Sequence, residues 1–237
     1  MALVTLIGTF HMELAGEELI NKALQQLNPD LLVAESNDAL DIKATRRQDL
    51  WSGLFDYLAI SPELRKKFFA CQPYKEHLLS KSYAREKKIP LIIVDLPEEI
   101  DDLFVEAYSG KDLVKSYRED LDLKTARQFV IESIEREYER HFLAQGPQLP
   151  NPIFYDGSRI TSRSIDHVGE RDVYMAQQIK EVLIKHSGKR ICGFFGMLHL
   201  VDPNSKRITD LFEGKFKNLR YYLGEENITY ASLIDFV

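Results

Sequence analysis

Leu3-Val4-Thr5-Leu6-Ile7-Gly8-Thr9-Phe10-His11 opens the chain, and Arg190-Ile191-Cys192-Gly193-Phe194-Phe195-Gly196-Met197-Leu198-His199 repeats its plan near the other end. In each, a short apolar run meets a glycine, and a histidine follows three residues later. Short apolar runs bounded by glycine, without polar alternation, read as strands buried on both faces. The strands are expected over Leu3–Ile7 and Arg190–Phe195. Two similar runs lie between them, Leu31–Ala34 ending at Glu35 and Ile89–Val94 ending at Asp95. A final strand is expected over Tyr230–Phe236.

Helical patterns separate these runs. Leu19, Ile20, Ala23, Leu24 and Leu27 recur at helical spacing and stop at Asn28-Pro29. Residues 38–88 read as mostly helical, broken near Ser61-Pro62 and Gln72-Pro73, with Ser61 as N-cap and Pro62 at the first helical position. A second charged helical stretch runs from Pro97 to His141, and Gly146, Pro147, Pro150 and Pro152 mark the loop after it. A helix over Asp172–His186 precedes the fourth strand, and a last one is expected around Ser205–Phe212. Strands alternating with helices predict an α/β fold: a three-layer domain with a mostly parallel central sheet. No repeat or clear linker divides the 237 residues, so a single α/β hydrolase-like domain over 1–237 is expected, with mainly helical insertions at about 38–88 and 97–145.

Composition limits the function. A 44% hydrophobic content supports a sizeable core, and a net charge of −6 argues against nucleic-acid binding, which needs clustered Lys and Arg. No apolar run approaches the roughly 18 residues of a membrane span. Leu3–Ile7 is short and lacks a preceding basic residue, unlike a secretory signal, so the cytoplasm is the expected compartment and the sequon at Asn227 is read as accidental. Two distant cysteines, Cys71 and Cys192, fit a reducing environment and exclude a disulfide framework or a cysteine-rich zinc site.

Four strands thus run into ionisable residues: His11, Glu35, Asp95 and His199. Ligands of open α/β sheets bind outside the carboxyl ends of the strands, so parallel strands would bring these four side chains to one rim. Glycine lets the chain turn sharply on leaving a strand, which would present each histidine over the sheet edge. Two histidines and a carboxylate form a recurring open metal site, and a bound ion acidifies water. The pattern therefore points to metal-assisted hydrolysis, with His11, His199 and Glu35 as ligands. Simpler roles compete: Glu35 and Asp95 as helix caps, His77, His141, His167 and His186 as surface residues, and Cys192 as a buried strand residue. Cys71 with His77 is a weak nucleophile pair. Glu170 and Asp172 suit a helix start by their charge, whereas Arg171 does not. Arg171 is expected either to orient a carboxylate or oxyanion, or to form a salt bridge with Glu35 or Asp95.

In order along the chain, Leu6-Ile7-Gly8-Thr9-Phe10-His11, Pro29-Asp30-Leu31-Leu32-Val33-Ala34-Glu35, Glu170-Arg171-Asp172 with Met175-Ala176, and Phe195-Gly196-Met197-Leu198-His199 resemble the TraB/PrgY/Tiki (GumN-like) family, which belongs with erythromycin-esterase-like and ChaN-like proteins. Ile89-Pro90-Leu91-Ile92-Ile93-Val94-Asp95 is similar to a further segment of that family. The resemblance implies an α/β fold and, for Tiki-like members, a metalloprotease activity favouring manganese or cobalt, with zinc also compatible. It implies His11 and His199 as metal ligands, Glu35 as ligand or general base, and Arg171 as a catalytic-site residue, with Glu170, Asp172 and Asp95 in support. The substrate would be a peptide or small molecule. Two rivals stand beside this expectation: metal-independent, esterase-like hydrolysis using Glu35 and a histidine, and non-catalytic binding of a haem-like ligand.

Overall fold

The computed structural model describes residues 3–9, 16–70, 75–97, 122–139, 162–212, 214–225 and 227–236. The strands are β1 (Leu3–Thr9), β2 (Leu31–Ala34), β3 (Leu91–Ile93), β4 (Arg190–Gly196) and β5 (Ile228–Ser232). They form one five-stranded sheet in the order β3-β2-β4-β1-β5, and every pairing is parallel. The helices are α1 (Gly16–Leu27), α2 (Asp38–Tyr57), α3 (Pro62–Ala70), α4 (Lys75–Lys87), α5 (Leu123–Tyr138), α6 (Ser162–Lys185), α7 (Met197–Leu200), α8 (Lys206–Phe212) and α9 (Leu219–Leu223). The α/β three-layer architecture expected from the strand–helix alternation is present. Among the described residues, no helix is long and apolar enough to cross a membrane.

Side chains alternate across the pleat, so each strand feeds two cores. Val4, Leu6, Leu31, Val33, Ile191 and Phe195 pack with Met175, Ala176, Ile179 and Val182 of α6 on one face. Ile7, Leu32, Cys192 and Phe194 pack with Leu19, Ile20, Ala23 and Leu24 of α1 and Ala84 of α4 on the other. Burial on both sides explains why the strands are apolar throughout rather than alternating. Helices from the two stretches read as insertions share a third core: Leu54, Phe55, Leu58 and Ile60 meet Ala126, Val130 and Ile134 of α5.

Gly193 is where the sheet centre is tightest. A Cβ there would lie 2.5 Å from Val33 Cγ2 and 2.7 Å from Phe195 Cε2. Gly193→Ala is therefore expected to destabilise by about 1–3 kcal/mol through overpacking, read as a lower urea midpoint at unchanged slope. At the opposite end of the strands from the rim, Asp30 takes the guanidinium of Arg190 at 2.9 and 3.2 Å and also its backbone N–H at 2.9 Å. The hydrogen bond from Arg190 holds the Asp30 carboxyl below the usual carboxylate range. Its folded pKa is depressed, so its contribution is complete above about pH 4 and lost as pH falls further. Asp30→Asn should thus lower the melting temperature at neutral pH, and the difference from wild type should vanish on strong acidification.

β1 and β4 run one or two residues further than expected, to Thr9 and Gly196, and three elements differ more. The last strand is Ile228–Ser232, not Tyr230–Phe236, because Leu233–Phe236 coils into a 3₁₀ turn. Asp235 accepts from Ser232 N at 2.7 Å, and Leu233 and Phe236 fold back into the α1 core. The third strand shortens to Leu91–Ile93, since Ile89 N still bonds Ala84 O at the end of α4 and Pro90 has no N–H to give. Helix α6 begins at Ser162 rather than near Asp172. It runs straight through Gly169, a mid-helix glycine costing only about 1 kcal/mol relative to alanine. Ser61 and Pro62 open α3 as expected, with Leu64 N donating to Ser61 Oγ at 3.3 Å. The loop expected at 145–152 and the helical structure expected over 98–121 lie outside the described residues.

Candidate active site

The carboxyl ends of β2 and β4, the segment after β3, and the N-terminal half of α6 meet at one rim. Helix α6 runs back along the sheet toward the start of β4, so its N-terminal half stands level with the strand ends. On its inner stripe Met175, Ala176, Ile179 and Val182 enter the core. Arg171 and Asp172 lie one turn earlier on that stripe. Their burial follows from this position, and the dipole explanation for Glu170 and Asp172 falls, because both sit well inside the helix.

Arg171 forms a fork with Asp95, Nε to Oδ1 at 3.0 Å and Nη2 to Oδ2 at 2.6 Å, and Nη2 also donates to Glu35 Oε1 at 2.9 Å. Both salt-bridge partners named from the sequence are therefore used at once. Glu35 bonds away from the α2 start: its Oε2 accepts from Gly196 N at 2.6 Å, across the sheet, and its Oε1 lies 3.1 Å from His199 Nε2. Asp95 accepts from its neighbour Leu96 N at 2.8 Å as well as from Arg171. The helix that it was expected to cap lies outside the described residues.

His199 is the third residue of α7, which starts directly from Gly196 at the end of β4. Its ring is buried between two carboxylates, with Nδ1 bonded to Asp172 Oδ1 and Nε2 facing Glu35. Burial opposes a charged ring, but the negative charge of Glu35 and the hydrogen bond to Asp172 outweigh it, and the pKa rises to about 10. Burial works first on Arg171 too, yet the hydrogen bonds it donates to Asp95 and the charge of Glu35 hold its guanidinium ionised beyond the ordinary arginine range.

The two Gly-x-x-His motifs interlock. Gly8 pairs in register with Phe195, and Thr9 with Gly196. Thr9 Oγ1 donates to Phe195 O at 3.2 Å. Neither glycine is left-handed: among the described residues the positive-φ glycines are Gly188, Gly214 and Gly224. The expected role as sharp-turn residues is thus corrected. Gly8 serves close approach instead, because a Cβ there would meet Met197 Sδ at 2.6 Å. His11 lies outside the described residues, as do Cys71 and His141.

Other expected placements divide. Cys192 is a buried strand residue, and burial pushes its thiol up. His77 is buried rather than on the surface, its Nε2 2.7 Å from Asp41 Oδ1, with Lys81 bridging both oxygens of the same carboxylate. Helix α4 turns this face onto α2, which a charged sequence alone does not reveal. Glu170, next to Arg171 in α6, is exposed. No motif marks Asn218, a buried residue that donates to the carbonyls of Leu198 and Val201, which flank His199 and Leu200.

Among the described residues no group of three or more His, Cys, Asp or Glu side chains is arranged to hold a metal ion. The donors present still fit one. A histidine whose Nδ1 is held by a buried carboxylate presents Nε2 to an ion in the usual orientation. The 3.1 Å between Nε2 and Glu35 Oε1 is also the span of two donors each about 2.1 Å from one ion at nearly a right angle. Asp172 Oδ2 is buried with no hydrogen-bond partner.

Comparison of the chain with family models, curated proteins and solved structures finds no match in any of the three.

Proposed function

We propose that this chain is a metal-dependent hydrolase of a peptide or amide bond, as the resemblance to the TraB/PrgY/Tiki family implies. The supporting observation is a charge imbalance. Among the described residues, three largely buried carboxylates (Glu35, Asp95 and Asp172) surround one arginine and one histidine. Buried charge is costly unless matched, so such a site calls for a cation beyond Arg171. A proton on His199 answers part of that demand, and a divalent ion would answer it fully.

His199 and Glu35 would hold the ion, with His11 as the third ligand. When bound, it would supply Lewis-acid polarisation of the scissile carbonyl and a water acidified toward neutrality. Manganese or cobalt is the favoured ion. With the ion bound, Asp172 would fix the tautomer of His199 by taking its Nδ1–H, leaving the Nε2 lone pair for the ion. Arg171 aims Glu35, and Asp95 keeps Arg171 in place. Where the histidines alone hold the ion, Glu35 is instead the candidate general base.

Chelator-stripped protein should gain thermal stability with added manganese or cobalt, by about 2.7 kcal/mol at one hundred times the dissociation constant. His199→Ala and His11→Ala should both abolish the shift. No shift with manganese, cobalt, zinc or magnesium would overturn the assignment.

A second reading has its own support. Glu35, His199 and Asp172 form a continuous acid–base chain without any ion. Ester hydrolysis that survives complete chelation, and is lost in Glu35→Gln, would select that mechanism instead.

A further inference from the structure

The sequence between α7 and α9 carries no recognisable motif, yet one of its side chains reaches the candidate site's backbone. Asn218 lies between α8 and α9, fully buried, and uses both ends of its amide. Its Nδ2 donates to Leu198 O at 2.9 Å and to Val201 O at 2.8 Å, the carbonyls flanking His199 and Leu200. Its Oδ1 accepts from Tyr221 N at 3.2 Å and so caps α9.

Helix α7 is a single turn of four residues, with no side-chain cap at Gly196. A turn this short has no cooperative stability of its own, and its last carbonyls lack helical partners. The carbonyls of Leu198 and of the C-cap residue Val201 find theirs in Asn218. Met197 braces the start of the same turn against Gly8. The imidazole is thus held by Asp172 at its ring and by Asn218 through its backbone.

We propose that Asn218 is a positioning residue for His199, its amide clamping the short helix that carries the imidazole. Capping of α9 and clamping of α7 use opposite ends of the side chain, so they can be separated. Asn218→Ser keeps an oxygen suited to capping and removes the two N–H donors.

This inference rests on the metal-site reading for its first readout only. In manganese titrations, Asn218→Ser is expected to bind roughly 10–100-fold more weakly than wild type, as for other residues that orient a ligand from behind. The second readout needs no metal: the ring nitrogen shifts of His199 by NMR in chelated protein. They should move in Asn218→Ser and stay in place in Asp122→Ala, a variant that loses a cap at α5, where Asp122 accepts from Lys124 N and Thr125 N. Wild-type His199 shifts in Asn218→Ser would overturn the proposal and leave Asn218 a helix cap. If wild type binds no manganese while the shifts still move, the metal reading fails and the positioning role stands.

Discussion

Replacing Arg171 with methionine is expected to destabilise the protein by about 3–5 kcal/mol, the usual cost of removing one partner from a buried ionic cluster. The loss comes less from broken attraction than from what remains. Asp95 would lose its fork and Glu35 one of its donors, in a place with little water to replace them. Urea unfolding at neutral pH measures the loss directly. Adding Asp95→Asn should recover part of it, because the double variant buries one uncompensated charge fewer. The two changes would then be strongly non-additive. A loss under about 1 kcal/mol for Arg171→Met would mean that the cluster is solvated and that Arg171 does not hold Glu35 in place.

Phe55→Ala is the second large effect, again about 3–5 kcal/mol. Phe55 is fully buried at the centre of the third core, with ring centroids 5.7 Å from Trp51, 4.9 Å from Phe68 and 6.1 Å from Phe69. Three of these rings pack at tilted or edge-on angles about Phe55, so alanine would leave a cavity that few small movements can fill. This core joins α2 and α3 to α5 and is separate from both sheet cores. Hydrogen exchange should therefore accelerate most over 122–138, with little change in β4. Equal acceleration in both regions would show that the helical layer and the sheet open as one unit.

Both changes act on features of very different visibility in the sequence. The parallel sheet was legible because strands buried on both faces are apolar at every position, as in Leu31–Ala34 and Ile191–Phe195. The rim was legible for a related reason: where a strand leaves the core, polar residues become tolerable, and Glu35, Asp95 and His199 occur there. Helix ends were less so. Ser61-Pro62 marks the start of α3 because both residues act locally, whereas Gly169 marks nothing, since a helix tolerates one glycine. The end of β5 escaped because Leu233–Phe236 is as apolar as a strand while coiling back onto the sheet.

Histidines divided in the same way. His199 stood out by its place after a strand, but His77 looked like a surface residue of a charged helix. Its burial depends on α2 delivering Asp41 to its ring. Charge along a helix indicates which residues are costly to bury, and only the neighbouring element indicates whether a partner is there.

By itself, the sequence determined the order of strands and helices, the absence of a cysteine framework, and the set Glu35, Asp95, Arg171 and His199. Each follows from local chemistry: hydrophobic period, turn residues, or a polar group at the end of an apolar run. Tertiary structure alone decided which partner each of these residues takes. It placed Glu35 against Gly196 across the sheet, set Arg171 between two carboxylates, and fastened His199 from behind with Asp172 and from below with Asn218. Hydrogen bonds and ion pairs depend on separations of about 3 Å between residues far apart in the chain, and no spacing along the sequence encodes that distance.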